Sequence, residues 1–564
     1  MLTVYGQCRI SLDRGSETEM NSNRIPDRSP HKAFVLIWGA MSLFCLARAS
    51  FDSRWSGWEF GDAQTMLAVS NWRAEGFRKL HFLWVPQGYA SVTALIDRPE
   101  LSHHSHGSWI LPGEGHRIYS HYPSWYAIPY GILGKLGIYN KTIYQWFALS
   151  LSLCSVVFFY LFCYRFLGNP ISLLAAVLYL TSMGFLEYSD SLANMPVDDF
   201  CRFSFLYLWS IPEPLSRRRF LLCALIHFVS SLSSLDSTFY IIVWAFCFRF
   251  FFSSKPKTWQ CLLLLPIPLI AWSIHFLQNA SYLGVHQAIR DWQVLASSRT
   301  ITGQGMMSAI RFAIEGAWSS IDKAFHLGSG VWVVVCLFLV FNWQERHRYI
   351  RLLIGLSLAG IAFGVIFRGR LDDLPYQARQ LTPVMVIVLA ATILGWFRVQ
   401  RRLFAQGKRS YYSTLGLGLS GILILFILYH THFRSFVAWW DFPPCNRIDY
   451  KIASNLKLLN KTFPGEKVIL QLGRAAPFVQ DQDPQDKNPY EGYPQSHPLV
   501  EYYAGAPVLV FPNPKSLAGD LTYMWQNRPR DFTPVILYDP RRWSEGEIRT
   551  EFQSSQIPLK IVHF

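Results

Sequence analysis

Charged residues are scarce in this chain, and several motifs that mark common enzyme classes are missing. Only 16% of the 564 residues are Asp, Glu, Lys or Arg, whereas 51% are hydrophobic. That balance excludes a string of ordinary soluble domains and indicates a membrane protein. The sequence has no phosphate-binding glycine loop, no GxSxG and no HExxH motif. Nucleotide-driven pumping and zinc-dependent hydrolysis therefore have no support.

Cysteine and charge patterns exclude further classes. The 10 cysteines lie mostly inside apolar runs and form no CxxC pair, so they predict neither a disulfide framework nor a zinc site. The 52 Lys and Arg residues outnumber the 37 Asp and Glu residues, which gives a net charge of +15. Because the cations lie between apolar runs, they indicate loops of a multi-pass membrane protein, and no nucleic-acid partner is expected.

Apolar runs predict an α-helical membrane protein with about eleven transmembrane helices, several shorter than the usual ~20 residues. The first run, Phe34 to Phe51, begins too far along the chain for a cleavable signal peptide. The later runs are Ile143 to Phe166, Ile171 to Tyr188, Asp199 to Ile211, Phe220 to Leu235, Phe239 to Phe252, Trp259 to Leu277, Val331 to Trp343, Ile350 to Phe367, Leu381 to Phe397 and Tyr411 to Tyr429. The aromatic segment Pro123 to Leu136, broken by proline and glycine, is predicted to lie at the interface.

Basic clusters set the predicted orientation. With a cytoplasmic N-terminus, the clusters at Arg217 to Arg219, Arg346 to Arg351 and Arg398 to Arg409 fall inside, as the positive-inside rule requires. If Pro123 to Leu136 were counted as a span, these basic clusters would lie outside, against the positive-inside rule. The expected organisation is a cytoplasmic tail at 1–33, a transmembrane domain at 34–430 with an outer loop at 52–122, and an extracytoplasmic domain at 431–564.

The C-terminal region has a different pattern. Lys467 to Leu472, Pro507 to Phe511, Pro534 to Tyr538 and Leu559 to Phe564 are typical of short buried strands. Helical patterns occur at Tyr450 to Leu459 and Gly546 to Gln553. These segments predict a small α/β domain on the outer side of the membrane.

Asp62 is the first candidate catalytic residue. It opens an amphipathic helix in the outer loop, which the pattern ends at Gly76. One interpretation is an N-cap carboxylate that accepts hydrogen bonds from its own helix. The other is a general base at membrane level, which takes a proton from an acceptor hydroxyl or amine.

Two further segments next to predicted spans carry candidate site residues. Asp198 and Asp199 have three interpretations: solvated charges at the start of a helix, metal ligands, or carboxylates that position the substrate and Asp62. Because side chains adjacent in sequence point in different directions, only one of the two is expected to face the site. Arg368, Arg370 and Arg379 are candidates for binding a phosphate at the headgroup level. Alternatively, Arg368 and Arg370 pair with the adjacent Asp372 and Asp373.

Weaker candidates lie in the same predicted outer regions. His121 and Tyr122, at the end of the outer loop, are candidate substrate contacts. The tract His103 to His106 has no recognised metal spacing. Glycosylation sequons begin at Asn140, Asn279 and Asn460, a short pattern that also arises by chance.

The order of these features resembles the GT-C superfamily of polyprenyl-phosphate-sugar-dependent glycosyltransferases. Within it, the chain resembles particularly the branch of protein O-mannosyltransferases and lipid A aminoarabinose transferases. The residues that carry it are Gly61-Asp62-Ala63-Gln64, Asn71-Trp72-Arg73-Ala74-Glu75-Gly76-Phe77, His121-Tyr122-Pro123, Val197-Asp198-Asp199-Phe200 and Ala378-Arg379-Gln380-Leu381-Thr382-Pro383. The sequence has Ala63 where many relatives have Glu.

The resemblance implies a fold and a reaction. A sugar moves from a lipid-linked phosphate donor to a glycan, lipid or protein acceptor on the outer face of the membrane, usually with inversion. Asp62 corresponds to the catalytic Asp, Asp198 or Asp199 to a second acidic residue, and Arg379 to an Arg before a late span. A divalent metal ion is a candidate cofactor. The expected location is a bacterial inner membrane, with the membrane lipids as further partners.

Three other functions compete with this interpretation. A transporter or lipid flippase would use charges at the membrane edge to line a path, although the sequence shows no paired internal repeat. A glycan polymerase or ligase would also use lipid-linked donors and a large outer loop. A scaffold protein would depend on its C-terminal domain.

Overall fold

The protein is mostly helical, and its helices coincide with the apolar runs of the sequence. The computed structural model describes residues 29–51, 54–87, 108–110, 117–120, 123–211, 213–252, 256–299, 330–366, 379–405, 411–441, 467–472, 501–503, 508–511, 513–527, 533–538, 542–553 and 557–563, with a few single residues between them. The helices before the C-terminal region are α1 Ser29–Ala49, α2 Glu59–Glu75, α3 Ile128–Lys135, α4 Lys141–Leu167, α5 Asn169–Leu180, α6 Met183–Leu186, α7 Met195–Trp209, α8 Arg217–Ser231, α9 Leu235–Phe251, α10 Thr258–Leu262, α11 Pro266–Leu283, α12 Val285–Arg299, α13 Gly330–Asn342, α14 Arg346–Ile366, α15 Thr382–Ala405, α16 Tyr411–Leu428 and α17 Arg434–Asp441.

Five helical stretches of the described chain are long and apolar enough to cross a membrane. They are His31–Ala49, Lys141–Leu167, Thr258–Leu283, Thr382–Ala405 and Thr414–Trp440, and three shorter apolar helices accompany them. The protein is therefore a multi-pass membrane protein. Each of the other predicted spans also contains a helix, and the total of eleven crossings stays a prediction.

Apolar side chains on the outside of the helical bundle support this assignment. Leu43 on α1 is 72% exposed and Leu269 on α11 is 67% exposed. On a soluble protein such a surface would face water at a high cost, whereas in a bilayer it faces lipid. The bundle interior is aromatic, with Phe159, Tyr179 and Trp244 among its buried members.

Helix α4 is the centre of the transmembrane packing. It lies against α5 and α7, while α15 packs on α5 and α13, and α9 packs on α14. The α4 helix begins where the Asn140 side chain accepts a hydrogen bond from the Ile143 N–H, and it ends at Gly168. These contacts bring the N-terminal end of α7, which carries Asp198 and Asp199, into the middle of the bundle.

The outer loop is folded around its own apolar core. Helix α2 packs against α3 and against β1 (Trp84–Gln87), which joins β2 (Ser108–Ile110) and β3 (Arg117–Tyr119) in an antiparallel sheet of order β1-β3-β2. A side chain at Gly131 of α3 would meet Trp72 of α2 at 2.5 Å, so glycine permits the close approach of these helices. The eight residues of α3 are too few to cross a bilayer, in agreement with the interfacial prediction.

The C-terminal region contains the predicted α/β fold. Strands β4 (Lys467–Leu472), β5 (Val508–Phe511), β6 (Thr533–Tyr538) and β7 (Lys560–His563) form a parallel sheet of order β5-β4-β6-β7. Helices α18 (Pro514–Asn527) and α19 (Glu545–Glu551) cover it. The sequence pattern did not predict α18.

Two boundaries differ from the sequence prediction, and one predicted helix is not tested. Helix α2 begins at Glu59, before Gly61-Asp62, and ends as predicted at Gly76, whose φ of 95° favours glycine. The last membrane helix continues through a π-helical turn, Tyr429–Phe433, into α17, so it passes the expected boundary at 431. The helix predicted at Tyr450 to Leu459 lies outside the described residues.

Candidate functional site

The carboxylate of Asp62 is fully buried and accepts three hydrogen bonds. Ser191 Oγ donates to Oδ1 at 2.7 Å and Leu192 N donates to Oδ1 at 2.6 Å, while Ser56 N donates to Oδ2 at 3.3 Å. The N-cap residue of α2 is Trp58 and not Asp62. The N-cap interpretation of Asp62 is therefore wrong, because this carboxylate binds N–H and O–H groups of other segments and not those of its own helix.

Burial raises the pKa of Asp62 to about 7, well above its ordinary value of 3.8. The hydrogen bonds from Ser56, Ser191 and Leu192 oppose this shift, and the negative charge of Asp190 adds to it. A carboxyl group with this pKa is protonated in part of the molecules at neutral pH. It can accept and release a proton under physiological conditions, as a general base must.

Asp190 is a second buried carboxylate next to Asp62, and the sequence analysis did not identify it. Arg48 Nη1 lies 3.5 Å from Asp190 Oδ2, and Gln145 Nε2 donates to the same oxygen at 3.4 Å. Burial raises the pKa of Asp190, and the charges of Arg48 and Lys141 oppose that shift. The cations that act on Asp190 thus come from two membrane helices, α1 and α4.

Asp198 and Asp199 form a separate cluster with arginines. Arg379 Nε lies 3.1 Å from Asp199 Oδ1, and Arg379 Nη2 lies 3.7 Å from Asp198 Oδ2. Arg202 pairs with Asp199 as well, and Asn194 Nδ2 donates to Asp198 Oδ2 at 2.8 Å. Both carboxylates therefore contact Arg379, whereas only one was expected to face the site.

The connection between α6 and α7 joins the two clusters. Its Ser191 and Leu192 hold Asp62, and its Asn194 holds Asp198. These contacts lie within four consecutive residues of one short segment. The candidate catalytic carboxylate and the Asp–Arg cluster are thus attached to the same piece of backbone.

The site lies where the ends of several membrane helices meet. Arg48 is at the C-terminal end of α1, and its Nε donates to Trp439 O at 3.1 Å, at the end of the last membrane helix. Lys141 opens α4, and Arg379 precedes α15. The charged groups of the site therefore lie beside the ends of these helices.

Several buried polar atoms around the carboxylates have no hydrogen-bond partner among the described residues. Around Asp62 and Asp190 these atoms are Tyr130 Oη, Gln145 Oε1 and Asp190 Oδ1; in the second cluster they are Asp198 Oδ1, Arg379 Nη1 and Gln380 Oε1. Native proteins rarely leave such groups unsatisfied. These six atoms are therefore candidates for contact with a polar ligand.

Four of the residues predicted for the site lie outside the described residues: His121, Tyr122, Arg368 and Arg370. The His103 to His106 tract lies outside them too. Within the described part of the chain, no group of three or more His, Cys, Asp and Glu side chains is arranged to hold a metal ion. Asp198 and Asp199, for which metal binding was one interpretation, contact guanidinium groups.

A third polar cluster ties the end of the outer loop to α11 and α12. Ser120 Oγ donates to Asp291 Oδ2 at 2.6 Å, and Asn279 Nδ2 donates to Ser120 O at 3.0 Å. Asn279 is fully buried, so its sequon is not accessible for glycosylation. Asn140, in contrast, is exposed at the start of α4.

The fold is GT-C-like. The aminoarabinose transferase ArnT from Cupriavidus metallidurans, bound to undecaprenyl phosphate, is 11% identical and superimposes with a TM-score of 0.51 over 90% of this chain and 90% of that one. In its apo state ArnT gives a TM-score of 0.50 at 12% identity, over 94% of this chain and 93% of that one. At these identities the likeness defines the fold alone.

A more distant neighbour is the oligosaccharyltransferase from Archaeoglobus fulgidus in its apo form. It is 12% identical, with a TM-score of 0.47, and the match covers 86% of this chain. The chain spans only 65% of that enzyme's length. No protein-family model and no curated protein sequence matches the chain.

Proposed function

We propose that the protein is a glycosyltransferase that moves a sugar from a polyprenyl-phosphate donor to an acceptor on the outer face of the membrane, with Asp62 as the general base. One observation carries the proposal. A fully buried carboxylate at the membrane edge of a GT-C fold is held by three donors, and its pKa is raised to about 7. The undecaprenyl phosphate bound to the neighbour ArnT supports a donor of this kind.

In the proposed reaction the acceptor's oxygen or nitrogen attacks the anomeric carbon of the sugar. Its proton passes to Asp62, and we assign Oδ2 as the accepting atom because Oδ1 already accepts two short hydrogen bonds. The bond between the anomeric carbon and the phosphate oxygen breaks, and the lipid phosphate leaves with the electron pair. Attack opposite the leaving group inverts the anomeric configuration.

Arg379 is the residue that we assign to the departing phosphate. Its Nη1 has no hydrogen-bond partner among the described residues, although Asp198 and Asp199 hold the rest of the guanidinium in place. A guanidinium fixed in this way offers an N–H group to a phosphate oxygen without reorganising. Arg368, Arg370, His121 and Tyr122 remain proposed substrate contacts.

We further propose the topology of the sequence analysis, with residues 1–33 in the cytoplasm and with the site and the C-terminal domain, which follows the last membrane helix, on the outer side of a bacterial inner membrane. The acceptor is a glycan, a lipid or a protein. Mannose is one of the sugars to be tested, because the resemblance includes mannosyltransferases.

The test uses the purified full chain in liposomes with a panel of radiolabelled polyprenyl-phosphate hexoses and pentoses. Water replaces the unknown acceptor, and release of the lipid phosphate is measured. Wild type is expected to release it, and Asp62→Asn is expected to be slower by about 10²–10⁴-fold, the usual contribution of a general base. Asp291→Asn is the matched control, because Asp291 is a buried, hydrogen-bonded carboxylate outside both carboxylate clusters.

Two results would overturn the proposal. The first is equal release by wild type and Asp62→Asn. The second is labelled sugar that crosses the bilayer unchanged at the same rate in both proteins, which is the behaviour of a transporter.

A further inference from the structure

Arg48 is a buried cation that joins three segments of the protein. Its side chain is 2% exposed. Nε donates to Trp439 O at 3.1 Å, Nη2 donates to Trp55 O at 3.4 Å, and Nη1 lies 3.5 Å from Asp190 Oδ2. The guanidinium also lies over the Trp439 ring at 4.5 Å from its centroid. A guanidinium presents five N–H donors in a rigid fork, which suits it to such a junction.

Two of these three segments supply the three hydrogen bonds that the described residues make to the Asp62 carboxylate. Trp55 immediately precedes Ser56, whose N–H reaches Asp62 Oδ2. Asp190 immediately precedes Ser191 and Leu192, which reach Oδ1. The Arg48 guanidinium thus contacts both segments that hold the Asp62 carboxylate, residues 55–56 and 190–192, which we call the cradle. Among the described residues, Arg48 makes no hydrogen bond to Asp62 itself.

We propose that the buried Arg48–Asp190 ion pair is the positioning device of Asp62 and is required for efficient proton transfer. The inference rests on the proposed function. Its basis is the geometry just given, together with the burial of both partners, which are 2% and 4% exposed in their side chains. An ion pair removed from water is costly to form, so a specific role at this position is expected to accompany it.

The charged and titratable groups around the cradle determine how it responds to pH. Arg48 comes from α1, Lys141 from α4 and Tyr130 from α3, and Asp190 lies on the same connection as Ser191. The negative charge of Asp190 raises the pKa of Asp62, although less than burial does. Removing that charge is therefore expected to lower the pKa of Asp62.

The first experiment measures kcat and KM for release of the lipid phosphate. Arg48→Gln is expected to lose about 100-fold in kcat with little change in KM, because misplacing a reacting group by about 1 Å costs on that order. Arg48→Lys keeps the charge but not the fork and is expected to recover part of the loss. The matched control is Arg165→Gln, since Arg165 likewise donates to a backbone carbonyl, Tyr207 O at 3.0 Å, and lies over the Tyr207 ring.

A second experiment needs no donor and no turnover. A hydrophobic carbodiimide reacts with protonated buried carboxyl groups, and peptide mass spectrometry gives the labelled fraction of Asp62 as a function of pH. The wild type is expected to show a midpoint near the pKa of about 7. Asp190→Asn is expected to move the midpoint to lower pH, whereas Arg165→Gln is expected to leave it in place.

The outcomes separate the two proposals. If wild type shows no release that depends on Asp62, the proposed function fails, whatever the labelling shows. If that release exists but Arg48→Gln keeps its kcat, or Asp190→Asn keeps the labelling midpoint, the positioning role is overturned and the proposed function stands. If Arg48→Gln does not fold, Asp190→Asn decides alone through both readouts.

Discussion

The two acidic clusters of this protein hold their carboxylates in opposite ways. Asp62 is held by a hydroxyl and two backbone N–H groups, all neutral, and has the anion Asp190 as a neighbour. Asp198 and Asp199 share the cation Arg379, and Asp199 also pairs with Arg202. Both clusters are buried at the same side of the bundle, so the difference lies in their partners and not in their exposure to water.

This difference in partners suits the two clusters to different roles. Neutral donors orient a carboxylate without fixing its charge, so burial can raise its pKa into the range of proton transfer. A carboxylate paired with a guanidinium is suited to hold shape and to present a positive group to an anion. In our proposal Asp62 transfers the proton. The Asp198–Asp199–Arg379 cluster, which we call the electrostatic frame, holds the shape of the site and presents the positive group.

The largest effect on stability is expected from removing the shared cation. Arg379→Gln takes from buried Asp198 the cation that faces it and from Asp199 one of its two guanidinium partners, which should cost about 3–5 kcal/mol. The apparent Tm in detergent, followed by tryptophan fluorescence, measures the loss. The control is Arg549→Gln, which breaks a surface pair with Glu545 and should cost no more than about 1 kcal/mol. Equal Tm shifts in the two variants would contradict the frame role of Arg379.

A smaller loss is expected when one carboxylate of the frame is neutralised. Asp198→Asn breaks the longer of the two contacts with Arg379, at 3.7 Å, and should cost about 1–3 kcal/mol. Asp199→Asn should cost more, because Asp199 also pairs with Arg202 and accepts a hydrogen bond from Tyr179 at 3.3 Å. The reverse order of Tm values would show that Asp198 is the stronger partner.

The smallest effect concerns the contact of the C-terminal region with the segment beside Asp62. Trp55 Nε1 donates to Tyr503 Oη at 3.0 Å, so Tyr503→Phe should cost about 0.5–1.5 kcal/mol while the ring contact remains. Tyr429→Phe, on an exposed part of the last membrane helix, is the control. If both variants have the wild-type Tm, the Tyr503 contact makes no measurable contribution to stability.

Much of the fold follows from patterns that the sequence displays locally. Long apolar runs predicted the membrane helices, and short β-branched runs such as Lys467 to Leu472 predicted the strands of the parallel sheet. Helix α18 was missed because Pro514–Asn527 mixes small, polar and apolar residues without a clear boundary signal. The sheet of the outer loop was missed because two of its three strands have only three residues.

The candidate site was predictable only in part. Asp62 was identified by its place after the first span, but its hydrogen-bond donors come from Ser191 and Leu192, far along the chain. Asp190 stands in the sequence Ser189-Asp190-Ser191, which matches no motif, and only tertiary packing gives it a role. Arg48 did carry a signal, because an ionisable residue inside an otherwise apolar span is a functional-site candidate in its own right.

The pH dependence of lipid-phosphate release tests the role of Asp62 most directly. A general base must be deprotonated, and the pKa of Asp62 is raised to about 7. The wild-type rate should therefore fall about tenfold for each pH unit well below 7 and level off above it. The residual rate of Asp62→Asn should show no such fall in the same range. A wild-type profile that is flat through pH 7, or an identical acid limb in Asp62→Asn, would contradict the assignment of Asp62 as the base.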